Sequence, residues 1–324
     1  MEHNKSRVVG IEISVKRTSY AIVDVRGNII AQNWFATNDY PNVNDYVTKL
    51  SELVVMLTEE NGGFENIRSI GISAPSANFL TGSIENAANL PWKGVIPLAA
   101  MLRDRLGIAV GVANDAHVTA LGEQSYGSAH GLRNFIVVAL GHGIGSCFFS
   151  EGIAHLGAEG FAGEIGHTCV VHNGRDCGCG RRGCMEAYCA QKGIIATARE
   201  LMAESDQPSL MRSLDELTPK AIVQCCEQGD EMAIEVYRRT GEILGISMAN
   251  YASVLDPEAI IFTGGIANAG HWLFDPARKA FDENVFQNIK DKVKFLRSTI
   301  EDSERDVLGA SALAWGIEEY SLFK

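Results

Sequence analysis

Along the first third of the chain, branched and aromatic residues come in short blocks separated by glycine turns. Val8–Val15 and Ser19–Asp24 read as strands, and Asn28–Phe35 reads as a third after a tight Arg26-Gly27-Asn28 turn. The period then changes. Val43, Tyr46, Val47, Leu50, Leu53, Val54 and Leu57 mark one face of a helix that runs from Val43 to Glu60 and stops at Gly62-Gly63. Ile67–Ser73 predicts a strand, and Pro97 leads a helix to about Leu106. The strand Ala109–Ala113 then runs through Asn114-Asp115 into a helix over Ala116–Gln124.

The pattern restarts at Asn134. Asn134–Leu140 and Gly145–Ser150 read as paired strands about a glycine turn, and a glycine- and cysteine-rich stretch (157–184) leads into mostly helical sequence. The longest helix runs to about Leu255 with Asp230 as its N-cap. Ala259–Thr263 is a short buried strand that turns at Gly264-Gly265 toward a helix, and a last helix spans roughly Val307 to Tyr320. Each half opens with a glycine-turned hairpin and continues through alternating helices and strands, which predicts a two-lobed α/β protein with a ligand cleft between the lobes. The expected division gives 1–113 plus 307–324 to a smaller lobe and 114–306 to a larger one.

Composition narrows the classes. With 324 residues, 46% of them hydrophobic, the chain can bury a large core. Its longest apolar runs are strand-sized, far below the roughly 20 residues a bilayer-spanning helix needs. Met1–Arg7 is polar, without the apolar stretch of a secretory leader, so a cytoplasmic protein with no membrane attachment is expected. A net charge of −12 argues against a nucleic-acid partner. Eight cysteines in such a chain are not a disulfide scaffold. Cys147, Cys169, Cys189, Cys225 and Cys226 are scattered and read as small core residues.

The other three are clustered. Cys177-Gly178-Cys179-Gly180-Arg181-Arg182-Gly183-Cys184 brings three thiols into one glycine-rich loop, and His167 lies upstream as a fourth ligand. Three thiolates and one imidazole make a closed tetrahedral shell suited to structural Zn2+, which would fix the loop without activating water.

Around this loop the sequence becomes specific. Gly157, Gly160, Gly163-Glu164, Gly166-His167 and then the Cys177–Cys184 cluster with Glu186 resemble the signature region of the ROK family of repressors and sugar kinases. Asn114-Asp115-Ala116 matches that family's catalytic motif, and Asn89-Leu90-Pro91-Trp92 resembles its sugar-side loop. The segment from Asp256 to Gly265 is similar to its nucleotide-side strand and glycine turn, and Gly309–Ala314 to its closing helix. The resemblance covers nearly the whole chain. It implies an actin-like, hexokinase-like ATPase fold (ribonuclease H-like lobes), ATP and Mg2+ as co-substrate and cofactor, and a homo-oligomer, dimer or tetramer.

The residue types suit that chemistry. A sugar is a ring of hydroxyls, so Asn89, Asn114, Asp115, Glu164, His167 and Glu186 supply the amides, carboxylates and imidazole it needs. Asp115 would accept the proton of the attacking hydroxyl. Taken alone, Asn114-Asp115 after a strand also reads as a helix cap. If one ring nitrogen of His167 binds metal, the other can still donate to a sugar hydroxyl.

The ATP side departs from the family pattern. Where the family has an Asp-x-Gly-Gly-Thr-Lys-like turn, this chain has Glu12-Ile13-Ser14-Val15-Lys16-Arg17-Thr18. Both glycines are replaced, and a β-branched Val15 tolerates positive φ poorly. Lys16, Arg17 and Thr18 stay available to contact phosphate, and Glu12 could hold a Mg2+-bound water. The second glycine turn, Gly141-His142-Gly143, is kept, with His142 where the family tends to have threonine, and Gly264-Gly265 completes the nucleotide set. A glucose-like hexose kinase is the expectation. A kinase for an N-acetylhexosamine or another hexose, and a sugar-binding sensor with weakened or lost phosphoryl transfer, stay open beside it.

Overall fold

The structure, a computed structural model, describes residues 5–317; residues 1–4 and 318–324, including the expected helix end at Tyr320, lie outside them. In chain order the elements begin with β1 (Arg7–Ile13), β2 (Arg17–Asp24), β3 (Ile29–Ala36) and α1 (Val43–Glu60). β4 (Ile67–Ser73), the short β5 (Ala77–Asn78), β6 (Ser83–Glu85) and β7 (Val95–Ile96), α2 (Leu98–Leu106), β8 (Ala109–Ala113) and α3 (Asp115–Tyr126) follow. Next come β9 (Phe135–Leu140), β10 (Ile144–Ser150), β11 (Ile153–Ala154), α4 (Glu186–Cys189), α5 (Gln191–Glu204), α6 (Pro219–Glu227) and α7 (Glu231–Leu255). The chain closes with β12 (Ala259–Thr263), α8 (His271–Asn284), β13 (Lys294–Arg297) and α9 (Arg305–Gly316).

Two compact units divide this list. Among the described residues, the first holds 5–131, 156–162 and 299–317, and the second holds 132–155 and 163–298. The break falls one helix later than the expected boundary at Ala113, because α3 packs against α9 and so stays with the first sheet.

Each unit is built on the same plan. The first sheet has the order β3-β2-β1-β4-β8, with β1, β2 and β3 antiparallel and β4 and β8 parallel to β1. The second has the order β11-β10-β9-β12-β13, with β9, β10 and β11 antiparallel and β12 and β13 parallel to β9. A hairpin needs only a tight turn, whereas each parallel strand needs a helical crossover. The recurring hairpin-then-helix rhythm of the sequence is this plan, met twice.

Within the first unit, side chains of β1 alternate between two packed faces. Val9, Ile11 and Ile13 join Tyr46, Leu50 and Val54 of α1, while Val8 joins Val23 of β2 and Val307 and Leu308 of α9. Helices on both faces explain why β1, β2 and β4 are buried almost throughout. Helix α1 starts where Asn42 accepts from the backbone N–H groups of Asn44 and Asp45. In the second unit the buried stripe of α7 packs on α8 and on the sheet, around Phe262 and Phe281. Asp230 caps α7 through Met232 and Ala233, as its position predicts. No helix among the described residues is long and apolar enough to cross a membrane.

One expectation about the core fails. Cys147, Cys189, Cys225 and Cys226 are buried, but Cys169 is exposed. It pairs by a β-bridge with Cys184 and so sits on the cysteine-rich loop.

Candidate functional site

The loop closes as its glycines require. Cys177 N–H donates to Arg181 O at 2.8 Å, and Gly180 N–H to Cys177 O at 3.0 Å, which folds the three thiols to one side. Gly183 adopts φ +76, and a Cβ there would stand 1.9 Å from Val171 O, so no other residue fits. The side chain of Arg175 anchors the loop to the helices behind it. It bonds to Ala187 O, Gly193 O and Thr197 Oγ1, pairs with Glu200, and stacks 4.6 Å from the Tyr188 ring.

The ligand atoms of His167, Cys177, Cys179 and Cys184 all lie within 4.8 Å of one another. Cys177 Sγ is 3.7 Å from His167 Nδ1, and Cys179 Sγ is 3.7 Å from Cys184 Sγ. A tetrahedral Zn2+ with Zn–S bonds of about 2.3 Å holds its sulfurs roughly 3.8 Å apart, close to the two 3.7 Å separations, so the four residues suit that ion. The backbone N–H of Arg181, with the neighbouring thiols, lowers the Cys179 thiol to about 6. Burial and the same neighbours push Cys184 up to about 11. Clustered thiolates repel, and a central cation lets all three ionise together.

Glu186 stands at the start of α4, directly after this shell. Its Oε2 accepts from Ile144 N–H at 2.9 Å, and its Oε1 lies 4.0 Å from Cys177 Sγ. The carboxylate therefore links the metal-type shell to the glycine turn between β9 and β10. A Cβ at Gly143 would meet Glu186 Oε2 at 2.6 Å, so a larger residue there would displace that carboxylate. Glu164 is exposed one turn before His167, whose N–H donates to Glu164 O.

That same turn opens on a cavity of about 620 Å³ within the second unit. Gly141, His142 and Gly265, named from sequence, line it together. Gln191, Lys220, Gln224, Glu227 and Asn268 line it too, and sequence reading missed them. The only signal for Lys220 was local, a Thr218 cap followed by Pro219 at the start of α6.

Asn89, Asn114 and Asp115 belong to the first unit. Leu90 and Trp92 are buried, Trp92 Nε1 donates to Tyr40 O, and Lys93 Nζ bonds to Ala88 O and Leu90 O, so the loop is pinned and leaves Asn89 exposed. Asn114 does cap α3, its Oδ1 accepting from His117 N–H at 2.8 Å, which leaves its Nδ2 to meet a ligand. Asp115 follows at the first helical position and accepts from Ala116 N–H. Its side chain is accessible to solvent, yet the surrounding protein raises its pKa, against the backbone bonds that lower it.

The first hairpin turn corrects an expectation. Thr18 is not available to phosphate: it is buried, and its hydroxyl is spent on Thr37 Oγ1 at 2.9 Å and Tyr46 OH at 2.8 Å. None of Ser14, Val15 and Lys16 takes a positive φ. Instead of a bare glycine backbone, Ser14 closes the turn through Arg17 with both its N–H and its hydroxyl. Lys16 and Arg17 are exposed, and Arg17 lies 4.0 Å from Glu12.

Asp306, in the first turn of α9, is a further residue that no motif revealed. Burial, then the charge of Glu12, then that of Asp115, outweigh Arg305 and Arg17 and raise its carboxyl from 3.8 to about 6. The native state thus holds a proton that the unfolded chain has lost. The stability this supplies is full below pH 4 or so and declines as pH rises to 6. Asp306→Asn should therefore raise stability at pH 7.5 by about 1–3 kcal/mol and change little at pH 4. Thermal melts of both proteins at the two pH values check this; equal melting temperatures at pH 7.5 would count against a strained carboxylate.

The family model for the ROK family matches residues 8–316. A glucokinase from Halalkalibacterium halodurans is 29% identical over 311 residues, 94% of this chain and 94% of that one. A xylose repressor from Caldicellulosiruptor bescii is 25% identical over 304 residues, 90% of this chain and 74% of the repressor. A ROK family glucokinase from Streptomyces griseus, solved with glucose and AMPPNP, superposes with a TM-score of 0.73 at 27% identity, over 95% of this chain and 99% of that one. The mixed α/β fold is the one shared by those kinases. With the family pattern running from the first strand to the last helix, this chain belongs to the ROK family.

Proposed function

We propose that the protein transfers the γ-phosphoryl group of ATP to a hydroxyl of a hexose, of the glucose or N-acetylhexosamine type. The observation that carries the proposal is Asp115, an accessible carboxylate at the start of α3 whose pKa the surrounding protein raises toward that of a useful base. As the hydroxyl oxygen bonds to the γ-phosphorus, its proton passes to Asp115 and ADP leaves with the bridging oxygen. Asn89 and Asn114 Nδ2 donate to neighbouring hydroxyls, and Glu164 accepts from others. The likeness to glucokinases over nearly the full chain supports the reading.

His167 serves two tasks in this proposal. Its Nδ1 faces the sulfurs, so Nε2 is left to donate to the sugar while a bound Zn2+ fixes the ring. Glu186 holds the glycine turn with one oxygen and accepts from a sugar hydroxyl with the other. The charges of Glu12 and Asp115 both act on the Asp306 carboxyl, and three carboxyl groups so placed suit a hard, oxygen-ligated cation. Mg2+, held through a water on Glu12, would neutralise phosphate charge.

A second reading has its own observation. The first hairpin turn carries Ser14 and Val15 in place of glycines and has no free Thr18 hydroxyl, which favours a sugar sensor with weakened transfer. A coupled ADP-release assay with MgATP against a panel of hexoses and N-acetylhexosamines separates the two. Turnover on one sugar supports the kinase and names its substrate. Silence across the panel, with sugar-dependent thermal shifts intact, supports the sensor.

A further inference from the structure

Cys169 lies outside the metal-type shell but is joined to it through the backbone. Val170 N–H donates to Gly183 O at 2.8 Å and Met185 N–H to Thr168 O at 3.0 Å, on either side of the Cys169–Cys184 bridge. Both bonds belong to residues flanking the pair, so Cys169 and Cys184 exchange none themselves. They form the close type of antiparallel pair, with Cα atoms about 4.5 Å apart and both side chains on one face. A disulfide needs a Cα separation of roughly 4.4–6.8 Å, so the backbone already meets it. The Cys169 sulfur leans along this ladder toward the neighbour of Cys184: a Cβ on Gly183 would stand 3.2 Å from it.

The two thiols differ in exposure and duty. Cys169 is exposed and is no member of the shell, whereas Cys184 is buried and belongs to it. Cys147, Cys189, Cys225 and Cys226 are buried, out of reach of a polar oxidant. We propose that Cys169 is an oxidation site that opens the shell: it forms a reversible disulfide with Cys184 and so removes one of the four ligands. The inference rests on the metal reading of the shell given above. With hydrogen peroxide as oxidant, the Cys169 thiolate attacks one oxygen, the O–O bond breaks and hydroxide leaves, giving a sulfenic acid. Cys184 Sγ then attacks the Cys169 sulfur, forms the S–S bond and expels a second hydroxide. The two sulfurs lose two electrons, the peroxide gains them, and two protons complete two waters. The Cys184 electron pair that would bind metal then lies in the S–S bond. Cys184 leads directly into Met185 and Glu186, so the same event reaches the carboxylate that holds the glycine turn. A thiol reductant breaks the bond and restores the ligand.

The test treats the reduced, Zn2+-loaded protein with hydrogen peroxide, reads metal release with a chromogenic chelator and maps disulfides by peptide mass. In the parent, a Cys169–Cys184 disulfide should appear in step with metal release, and dithiothreitol with added Zn2+ should reverse both. Cys169→Ser should keep the parent's metal content and melting temperature and release metal about tenfold more slowly. Release from Cys169→Ser at the parent's rate would overturn the inference, as would disulfides confined to Cys177, Cys179 and Cys184. Both of those results leave the shell itself standing. No metal in the reduced parent would instead sink the shell reading, and this inference with it. The Cys169 side chain is exposed and its bridge to Cys184 is made by backbone groups, so the serine variant is expected to fold.

Discussion

Asp115→Asn should lower turnover about 10²–10⁴-fold while the sugar still raises the melting temperature. The substitution keeps size and hydrogen-bonding shape but removes the ability to take a proton. The Ala116 N–H can bond to the Asn oxygen as it does to Asp115 Oδ1, and the cap on α3 comes from Asn114, which is unchanged. Fold and helix start should survive. Removing a carboxylate whose pKa is already raised by the surrounding protein relieves a cost rather than creating one, so the variant should melt no lower than the parent. Steady-state kinetics and sugar-dependent thermal shifts on the same preparation decide the matter. Normal turnover in the variant would remove Asp115 from the chemistry. Loss of both turnover and sugar response would make it a binding residue instead.

Stripping the metal should have the second large effect, on sugar affinity as well as on stability. His167, Cys177, Cys179 and Cys184 sit on a partly exposed loop, with Cys179 facing solvent. Without a cation the thiolates repel, and nothing fixes the imidazole ring. Losing one well-placed hydrogen bond from His167 to a sugar hydroxyl should cost about tenfold in affinity. The turn that carries Gly143 should loosen too, since Glu186 bridges it to the shell. Metal analysis, calorimetry with sugar and hydrogen exchange over 164–186, before and after chelation, check each part. A lower melting temperature with unchanged sugar affinity would refute the coupling through His167. Bound metal absent from the purified protein would refute the shell itself.

Much of this is legible in the sequence. The stripe of Tyr46, Val47, Leu50, Val54 and Leu57 became the buried face of α1, and Asp230 became the cap of α7, because both signals are local and repeat with the helix. The metal-type shell was legible because three of its four ligands lie within one short loop. The strand expected over Val8–Val15 ended at Ile13 instead, where Ser14 turns the chain with its own side chain. Thr18 looked available for phosphate, since a threonine in a turn usually faces water. It points inward here because β2 is covered on both faces and Tyr46 of α1 reaches it. Cys169 looked like a core residue, and lies exposed because its backbone pairs with Cys184 on a surface loop.

The sequence by itself determined the elements, the duplicated hairpin-and-helix rhythm, the cysteine-rich shell and the family, since each is written in residues close together or in ordered motifs. Only the tertiary structure decided which residues far apart in sequence become neighbours. Lys220 of α6 lines the same cavity as Gly141 and Gly265, Asp306 of α9 came within the charges of Glu12 and Asp115, and Glu186 was set between the shell and Gly143. Periodicity reports which face of an element is buried, but not which other element will cover it. That pairing is set by side-chain packing across the whole chain, and the chemistry of the site follows from it.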